Sequence, residues 1–545
     1  MKRLSGLLFF SLLCMGPVWT QTTEPEEPDL ILPPMILEVE DPALEEVQAA
    51  IPEAEDIDLY LQVTDLPEPE EIELSQDAFD LVVPGGIEGP GIAGGRDFFS
   101  DSTLGIGTQN HFLGDISLFM LGDEPRAMLR FHHEGRDGFW GHLSGEGYNT
   151  RRESFEGDLS FHPGSVEIDL AGSLIEDEFG FQGRVEGFSS LIHRILTGSG
   201  NIEVPVKERI AAGGSVSTVI SNIVLATAAG GGAAGLPEQD TEVDIQAGFF
   251  GNLDTQYVRF GLDGEYRFLN WLETGSPVHV LSGSVRAESN FPFALDVQAD
   301  AGVNWIPGVD PAFPFSLSTT AYLGGIMTVY ISGGYRWDMA SFGDLWNRFP
   351  LVDSRNASGD RYVQQYESGW FIDGEIRYEP SDAFSVEAAC SWLYASSRFQ
   401  PKDFLPGRGL FSQEWSPGTV FSARSGFSWR IGDSLTLDSG VGGILFGADF
   451  INPSFEVNAS IEYAPLEGLF GFSSEVDYTI YNEALVPIAM LPQASISGFF
   501  RISEGVSLSL EAEDIVSALT SEPSYTWGGY TSPGFALVFK TNLSL

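Results

Sequence analysis

The sequence predicts an all-β protein, a transmembrane antiparallel β-barrel of about 20 strands, even in number and within a range of roughly 18 to 22. Three observations predict this class. Apolar and polar residues alternate along many runs of about nine to eleven residues, the length of a tilted strand that crosses a bilayer. Short and long connections between these runs follow each other. Mean hydropathy is +0.01 although 43% of residues are hydrophobic, as expected when only one face of each strand meets lipid.

The chain begins with a predicted secretory signal peptide, residues 1–20. Lys2 and Arg3 precede the short apolar run Leu4–Trp19, the order of a positive and then an apolar region in such leaders. A lipoprotein site at Cys14 is the alternative, but such sites prefer a small residue before the cysteine, which this sequence lacks. Export combined with a predicted barrel places the protein in the cell outer membrane of a diderm bacterium.

The next segment, residues 21–85, is predicted to be an acidic, proline-rich, disordered periplasmic tether. Twenty Asp and Glu and no Lys or Arg lie between Gln21 and Asp80, so the segment repels itself and buries little. Short apolar islands within residues 30–83 suggest an alternative, in which they bind a periplasmic partner by strand addition. Residues 86–111 are predicted to be a glycine-rich hinge, and residues 112–545 the outer-membrane β-barrel.

The connections within the barrel region differ in length in a regular way. Short turns and long loops are expected at opposite rims of an outer-membrane barrel, with the short turns in the periplasm. Representative short turns are Gly432–Ser434 and Ser503–Gly505, and representative long connections are Asp338–Asp360, Ser397–Pro417 and Glu513–Pro533.

Aromatic residues recur just before the short turns. This is where the aromatic belt at a membrane interface belongs. The residues are Tyr378, Trp429, Tyr463 and Phe500.

The C-terminal strand is predicted to be an assembly signal. Its apolar residues alternate up to the last residue of the chain, as in outer-membrane barrels. We expect the barrel-assembly machinery to bind this strand and outer-membrane lipid to surround the finished barrel. The residues of the apolar face are Phe535, Leu537, Phe539, Leu543 and Leu545.

The end of the chain resembles the closing strands of TonB-dependent receptors. Leu510–Ile515, Gly529–Gly534 and Phe535–Leu545 match, in order and spacing, a strand, a tyrosine-containing loop and the last strand of those barrels. Asp514 stands where the family commonly has Asn, and Leu545 replaces a terminal aromatic residue. The resemblance implies a receptor-like barrel. Because the acidic segment ahead of it is unlike a folded plug domain, the resemblance implies a plugless relative, and energy-coupled uptake is not carried over.

Charge restricts the function. The chain has 27 Lys and Arg against 78 Asp and Glu, a formal net charge of −51, which excludes a nucleic-acid-binding surface. Carboxylates recur on the polar strand faces, which predicts an acidic lumen that favours cations. The candidate lumen acids are Glu167, Asp169, Asp296, Asp300, Glu456, Glu462 and Glu511.

No catalytic, cofactor or metal site is predicted. His132, His133, Glu134 and His142 lie across one hairpin, but adjacent residues of a strand point to opposite faces, so His132 and His133 cannot both bind one metal ion. No serine lies in a recognisable nucleophile elbow. We therefore expect no enzymatic activity.

The leading hypothesis is a channel or transport-type barrel with an acidic, cation-favouring lumen. A barrel of this width is expected to be filled, and inward-folded long loops or the tether are the candidates. The alternative is a closed barrel that anchors the tether for a periplasmic partner, an assembly or scaffold role. A surface adhesin, suggested by the long loops alone, is the third hypothesis.

Overall fold

A computed structural model describes residues 98–545, with gaps. The gaps are residues 121–124, 228–237, 273–276, 292–294, 356–365, 406, 448–452, 466–467, 481–490, 504, 524–529 and 545. The predicted signal peptide, the acidic tether and the first part of the hinge lie outside the described residues.

The described residues form one antiparallel sheet of 22 strands, in which each strand pairs with the next along the chain. The first strand also pairs with the last, which closes the sheet into a barrel. The strands are β1 (Phe98–Gly107), β2 (His111–Met120), β3 (Arg126–Asp137), β4 (Asn149–Phe161), β5 (Glu167–Gly180), β6 (Phe188–Lys207), β7 (Ile210–Thr227), β8 (Glu238–Asp254), β9 (Val258–Trp271), β10 (Val278–Phe291), β11 (Leu295–Trp305), β12 (Phe315–Leu323), β13 (Met327–Met339), β14 (Tyr366–Ser381), β15 (Phe384–Leu405), β16 (Leu410–Ile431), β17 (Leu435–Phe446), β18 (Phe455–Tyr463), β19 (Phe470–Ile480), β20 (Gln493–Ser503), β21 (Val506–Glu513) and β22 (Ala536–Ser544).

Helical structure among the described residues is confined to the connections. A 3₁₀ turn spans Phe139–Gly141, helix α1 spans Phe342–Arg348 and helix α2 spans Ile515–Thr520. No helix of the described part of the chain is long and apolar enough to cross a membrane.

The predicted fold class is confirmed, and the count of 22 strands is even and at the top of the predicted range. The prediction that residues 86–111 form a hinge and that the barrel begins at residue 112 is wrong for residues 98–111, because β1 lies there. Ser100 and Ser102 lie on the same face as Leu104 and Ile106. They weaken the apolar alternation, so the strand depends on its partners β2 and β22.

The two rims of the barrel differ. Asp101 lies opposite Ser544, so the barrel begins and ends at the same rim, which also carries two-residue turns such as residues 382–383. This is the periplasmic rim of an outer-membrane barrel, and the other rim is extracellular. At the extracellular rim the expected loop Ser397–Pro417 is instead a continuation of β15 and β16, joined only by residues 406–409.

The outer face of the barrel is apolar. Along β14, for example, Trp370, Ile372 and Ile376 alternate with polar residues and are exposed. The predicted belt residues Tyr378 and Trp429 are also exposed, at the periplasmic ends of their strands. An exposed apolar band on a closed barrel is stable only in lipid, and this places the barrel in an outer membrane. The residues that alternate with this band form the inner face, which surrounds the lumen.

Candidate functional site

The longest connection of the barrel begins with a segment that folds inward. Residues 340–355 leave β13 at the extracellular rim and contain helix α1. A capping box starts this helix: the Ser341 hydroxyl accepts a hydrogen bond from the Asp344 amide, and the Asp344 carboxylate accepts one from the Ser341 amide. Such reciprocal bonds fix the first turn of a helix. We call residues 340–355 the cap.

The cap has a hydrophobic core. Phe342, Leu345, Trp346, Phe349 and Val352 are buried. Their neighbours come from distant parts of the barrel, so the cap spans the extracellular mouth. These neighbours are Leu191 on β6, Ile223 and Leu225 on β7, Trp271 on β9, Phe399 on β15, Leu410 and Phe411 on β16, and Tyr530 between β21 and β22.

Aromatic contacts fix both ends of this core. On one side, the Trp346 ring stacks on the ring of His193 of β6, with centroids 4.9 Å apart. The Phe342 ring meets Trp271 edge to face, also at 4.9 Å. On the far side, the Phe349 ring stacks on Phe399 of β15 at 5.3 Å. Both stacked and edge-to-face pairs add to the energy of simple burial.

A row of carboxylates on β8 faces the cap. Asp240, Glu242 and Asp244 alternate along the strand, so their side chains lie on one face. Their exposed fractions are 0, 2 and 1%. Buried carboxylates are stable only when other groups satisfy them, and the partners of these three involve the cap.

Glu242 and Asp244 hold the chain where the cap begins. The Glu242 carboxylate accepts a hydrogen bond of 2.7 Å from the backbone amide of Phe342, the first residue of α1. Asp244 pairs with Arg267 of β9, with Nη2 and Oδ2 2.6 Å apart. The same guanidinium donates through Nη1 to the carbonyl of Met339, again at 2.6 Å. Glu242 therefore binds the start of the cap helix directly, and Asp244 is linked through Arg267 to Met339, the residue just before the cap.

Asp240 binds the end of the cap. It accepts a hydrogen bond of 2.5 Å from the hydroxyl of Ser354 and lies 4.0 Å from Arg408, which also pairs with Asp353. Burial raises the pKa of Asp353 above its ordinary value, although Arg408 opposes this shift. The Asp353 amide donates a hydrogen bond of 2.9 Å to the carbonyl of Phe411 on β16. The end of the cap therefore contacts both β8 and β16.

Reasoning from the sequence missed this site, although two of its signals were present. Acids at every second position, Asp240, Glu242 and Asp244, mark one face of a strand. The sequence also indicated that Asp338–Asp360 is a long connection and that some long loop folds inward. It did not indicate that this connection is the one that does so. Which loop folds inward depends on contacts between residues about 100 apart in sequence, such as Glu242 and Phe342, and alternation along one strand cannot show them.

The seven candidate lumen acids all lie on the inner face, but the structure does not bring them together. Two are on β5, two on β11, two on β18 and one on β21. Asp300 pairs with Arg286, with 2.7 Å between Oδ1 and Nε, and Glu511 pairs with Lys540. Glu456 lines a cavity of about 440 Å³ on the inner wall. The remaining residues of the set are Glu167, Asp169, Asp296 and Glu462.

The histidine hairpin is divided between two faces. His132 Nδ1 lies 3.1 Å from Asp115, and His133 Nδ1 lies 3.1 Å from Glu153 on the opposite face. His142 is outside the strand and pairs with Glu146. Among the described residues no group of three or more potential ligands is arranged to hold a metal ion.

The C-terminal strand β22 completes the barrel. It pairs with β21 on one side and β1 on the other. Leu537 and Phe539 are exposed on the lipid face, and Leu543 is half-buried on the same face. Phe535 precedes the strand, and Leu545 lies outside the described residues. Their role as an assembly signal stays a prediction.

Comparison with solved structures finds similar barrels. The ferric enterobactin receptor PfeA from Pseudomonas aeruginosa has a TM-score of 0.60 and 11% identity, over 83% of this chain and 81% of that chain. The FrpB iron transporter from Neisseria meningitidis gives 0.62 and 10%, over 83% and 81%. The copper transporter OprC gives 0.60 and 12%, over 83% and 80%. The barrel has the fold of the TonB-dependent receptors.

The resemblance to TonB-dependent receptors seen at the end of the sequence is thus confirmed for the fold of the barrel. No protein family matches the sequence, and no curated protein does. The similar structures are described as receptors and transporters, and none of these three as an enzyme, in agreement with the expectation from the sequence. The predicted lack of a plug concerns residues outside those described.

Proposed function

We propose that this protein is a gated transport barrel of the outer membrane, in which the cap closes the extracellular mouth between transport events. One observation supports this proposal: the cap packs against β6, β7 and β9 on one side of the mouth and against β15 and β16 on the other. The cap is fixed mainly through one helix and the β8 carboxylates, a set small enough to be released as a unit. Proteins of the same barrel fold are described as iron and copper transporters.

The proposed solute is a cation, free or chelated. The support is the acidic inner wall, where Asp373, Glu375 and Glu456 line one cavity with a single arginine, Arg424. Carboxylates in a confined lumen raise the local concentration of cations and lower that of anions.

Planar-bilayer recordings of the full chain test this function. The test variant has residues 341–354 replaced by a Gly-Ser linker and is checked for a folded, heat-modifiable barrel. We expect the unaltered protein to be closed or weakly conducting and the variant to show steady cation-selective openings. Neutralising the seven candidate lumen acids in the variant should shift its reversal potential toward anions. A silent variant, or a reversal potential that the series leaves unchanged, would contradict the proposal.

The burial of the cap core also favours a second function. A mouth sealed by packed aromatic side chains suits a closed barrel that anchors the acidic tether for a periplasmic partner. This function predicts that deletion of residues 21–80 removes a co-purifying periplasmic protein and leaves permeability unchanged. It also predicts that the variant without the cap stays silent.

A further inference from the structure

A cavity under the cap has a charge opposite to that of most of the barrel. It has a volume of about 490 Å³, within the range of small-ligand sites. Three arginines line it: Arg336 from β13, Arg348 at the end of α1 and Arg398 from β15. Glu367 is the one carboxylate among the lining residues. In a chain with 27 basic and 78 acidic residues, three arginines around one cavity require an explanation.

The surroundings of Arg336 and Arg348 differ from those of Arg130 and Arg286, two other arginines on the inner face. Arg130 pairs with Asp115 at 2.7 Å, and Arg286 pairs with Asp300 at 2.7 Å. Arg336 and Arg348, in contrast, form no ion pair with any residue of the described part of the chain. Their guanidinium groups are therefore free to bind an external anion.

The position of Arg398 adds to the positive potential. Its exposed fraction is 7%, and a buried guanidinium is screened by water less than an exposed one. Like charges that share a cavity repel one another, and an anion between them removes this cost. Guanidinium groups bind carboxylate and phosphate oxygens through paired hydrogen bonds, which suits a ligand with more than one such group.

The cavity lies between the cap and the inner face of the barrel. The side chains of Leu345 and Phe349, which belong to the cap, form part of its lining. Ser391 and Ser422 line it as well and also line the acidic cavity that contains Glu456. The inner wall thus changes from positive beside the cap to negative farther along the same strands. An anion would be retained at the arginines and repelled by the adjacent wall.

We propose that Arg336, Arg348 and Arg398 form a binding site for a small anion that carries two or more carboxylate or phosphate groups. The site goes beyond the proposed transport function, because the anion would bind whether or not the barrel conducts. Bound beneath α1, the anion would also join the cap to β13 and β15.

Calorimetric titration of the refolded full chain with citrate and with pyrophosphate tests this site. The variant Arg336→Gln/Arg348→Gln is compared with Arg130→Gln/Arg286→Gln, which removes the same charge from the inner face. We expect one equivalent of at least one probe to bind. The first variant should weaken this binding by about tenfold or more, since each charged hydrogen bond contributes that much, and the second by no more than about twofold. Binding of neither probe, or equal weakening by both variants, would overturn the site.

A gain of affinity provides a second test that does not depend on loss of folding. Glu367→Gln removes the one carboxylate of the lining and should tighten binding of the same probe severalfold, because like-charge repulsion is removed. An affinity that is unchanged or weaker would contradict the proposal. Barrel conductance is measured separately, so failure of the anion site and failure of the transport function are distinguishable.

Discussion

Glu242 of β8 accepts a hydrogen bond from the backbone amide of Phe342, and this bond of 2.7 Å joins the barrel wall to the first residue of helix α1. The first amides of a helix have no partner within the helix and carry its positive dipole end. A carboxylate is therefore a favourable partner there. Both groups are buried, so water cannot replace either one without an opening of the cap.

Removal of this carboxylate should loosen the cap without unfolding the barrel. Glu242→Ala leaves a buried amide without an acceptor, which costs about 1–3 kcal/mol. Hydrogen exchange of the amides in residues 342–348 should then be roughly 5- to 100-fold faster. The matched control is Glu265→Ala on the neighbouring strand β9, where the side chain is exposed on the inner face. Equal protection of the cap in both variants would contradict the assigned role of Glu242.

Packing should contribute more to the closed cap than this single hydrogen bond. The exposed fraction of Trp346 is 2%, and Trp346→Ala removes a side chain from the centre of the cap core, at a cost of about 3–5 kcal/mol. We expect larger loss of exchange protection in the cap and frequent openings in bilayer recordings. Trp370→Ala is the control, because Trp370 is 49% exposed on the lipid face. A cap that stays protected and closed in Trp346→Ala would show that other contacts hold it.

The alternation of residues predicted the fold because each strand crosses the membrane with one apolar face, which is a local property. For this reason the alternation along each strand is enough to place Trp370 and Ile376 on the outer face and Glu456 on the inner face. β1 was missed because its outer face includes Ser100 and Ser102, so its strand structure comes from pairing with β2 and β22. Local pattern cannot predict a strand that depends on its partners.

The cap could be predicted only as a general need to fill the lumen. Its helix is short, and its capping box Ser341–Asp344 is common in proteins. The segment closes the mouth because Phe342 and Trp346 pack against β6, β7 and β9. The sequence of the cap alone, or of these strands alone, cannot predict such contacts. The arginine cavity likewise combines residues from three elements that are separated in sequence.

The C-terminal strand should be needed for assembly more than for stability. Phe539 is 44% exposed on the lipid face of β22, and Phe446 of β17 is 66% exposed on the same surface. Phe446→Ser therefore removes at least as much lipid contact as Phe539→Ser. If the barrel-assembly machinery binds the C-terminal strand, only Phe539→Ser should lower the amount of folded barrel in cells, whereas both variants should refold in detergent. Equal yields in cells would contradict the assembly signal.

The barrel is closed by the pairing of β1, residues 98–107, with β22, and a disulfide can test this pairing. Leu104 lies directly opposite Thr541, and the Cβ atoms of opposite residues in antiparallel strands are about 4.5–5.5 Å apart, near the separation that a disulfide bridges. In a Cys390→Ser background without the leader, Leu104→Cys/Thr541→Cys should therefore form a disulfide after mild oxidation.

The control for this pair is Leu104→Cys/Leu537→Cys. Leu537 lies on the same strand and the same face as Thr541 but four residues away, about 13 Å along the strand. Crosslinking of the first pair alone, seen as a shift in the mobility of the heat-denatured protein that a reductant abolishes, is the expected result. If neither pair crosslinks in a folded barrel, closure by β1 is contradicted, and the barrel would instead begin at the next strand. If both pairs crosslink equally, the register of β1 against β22 is wrong, because a single register brings only one of them within reach.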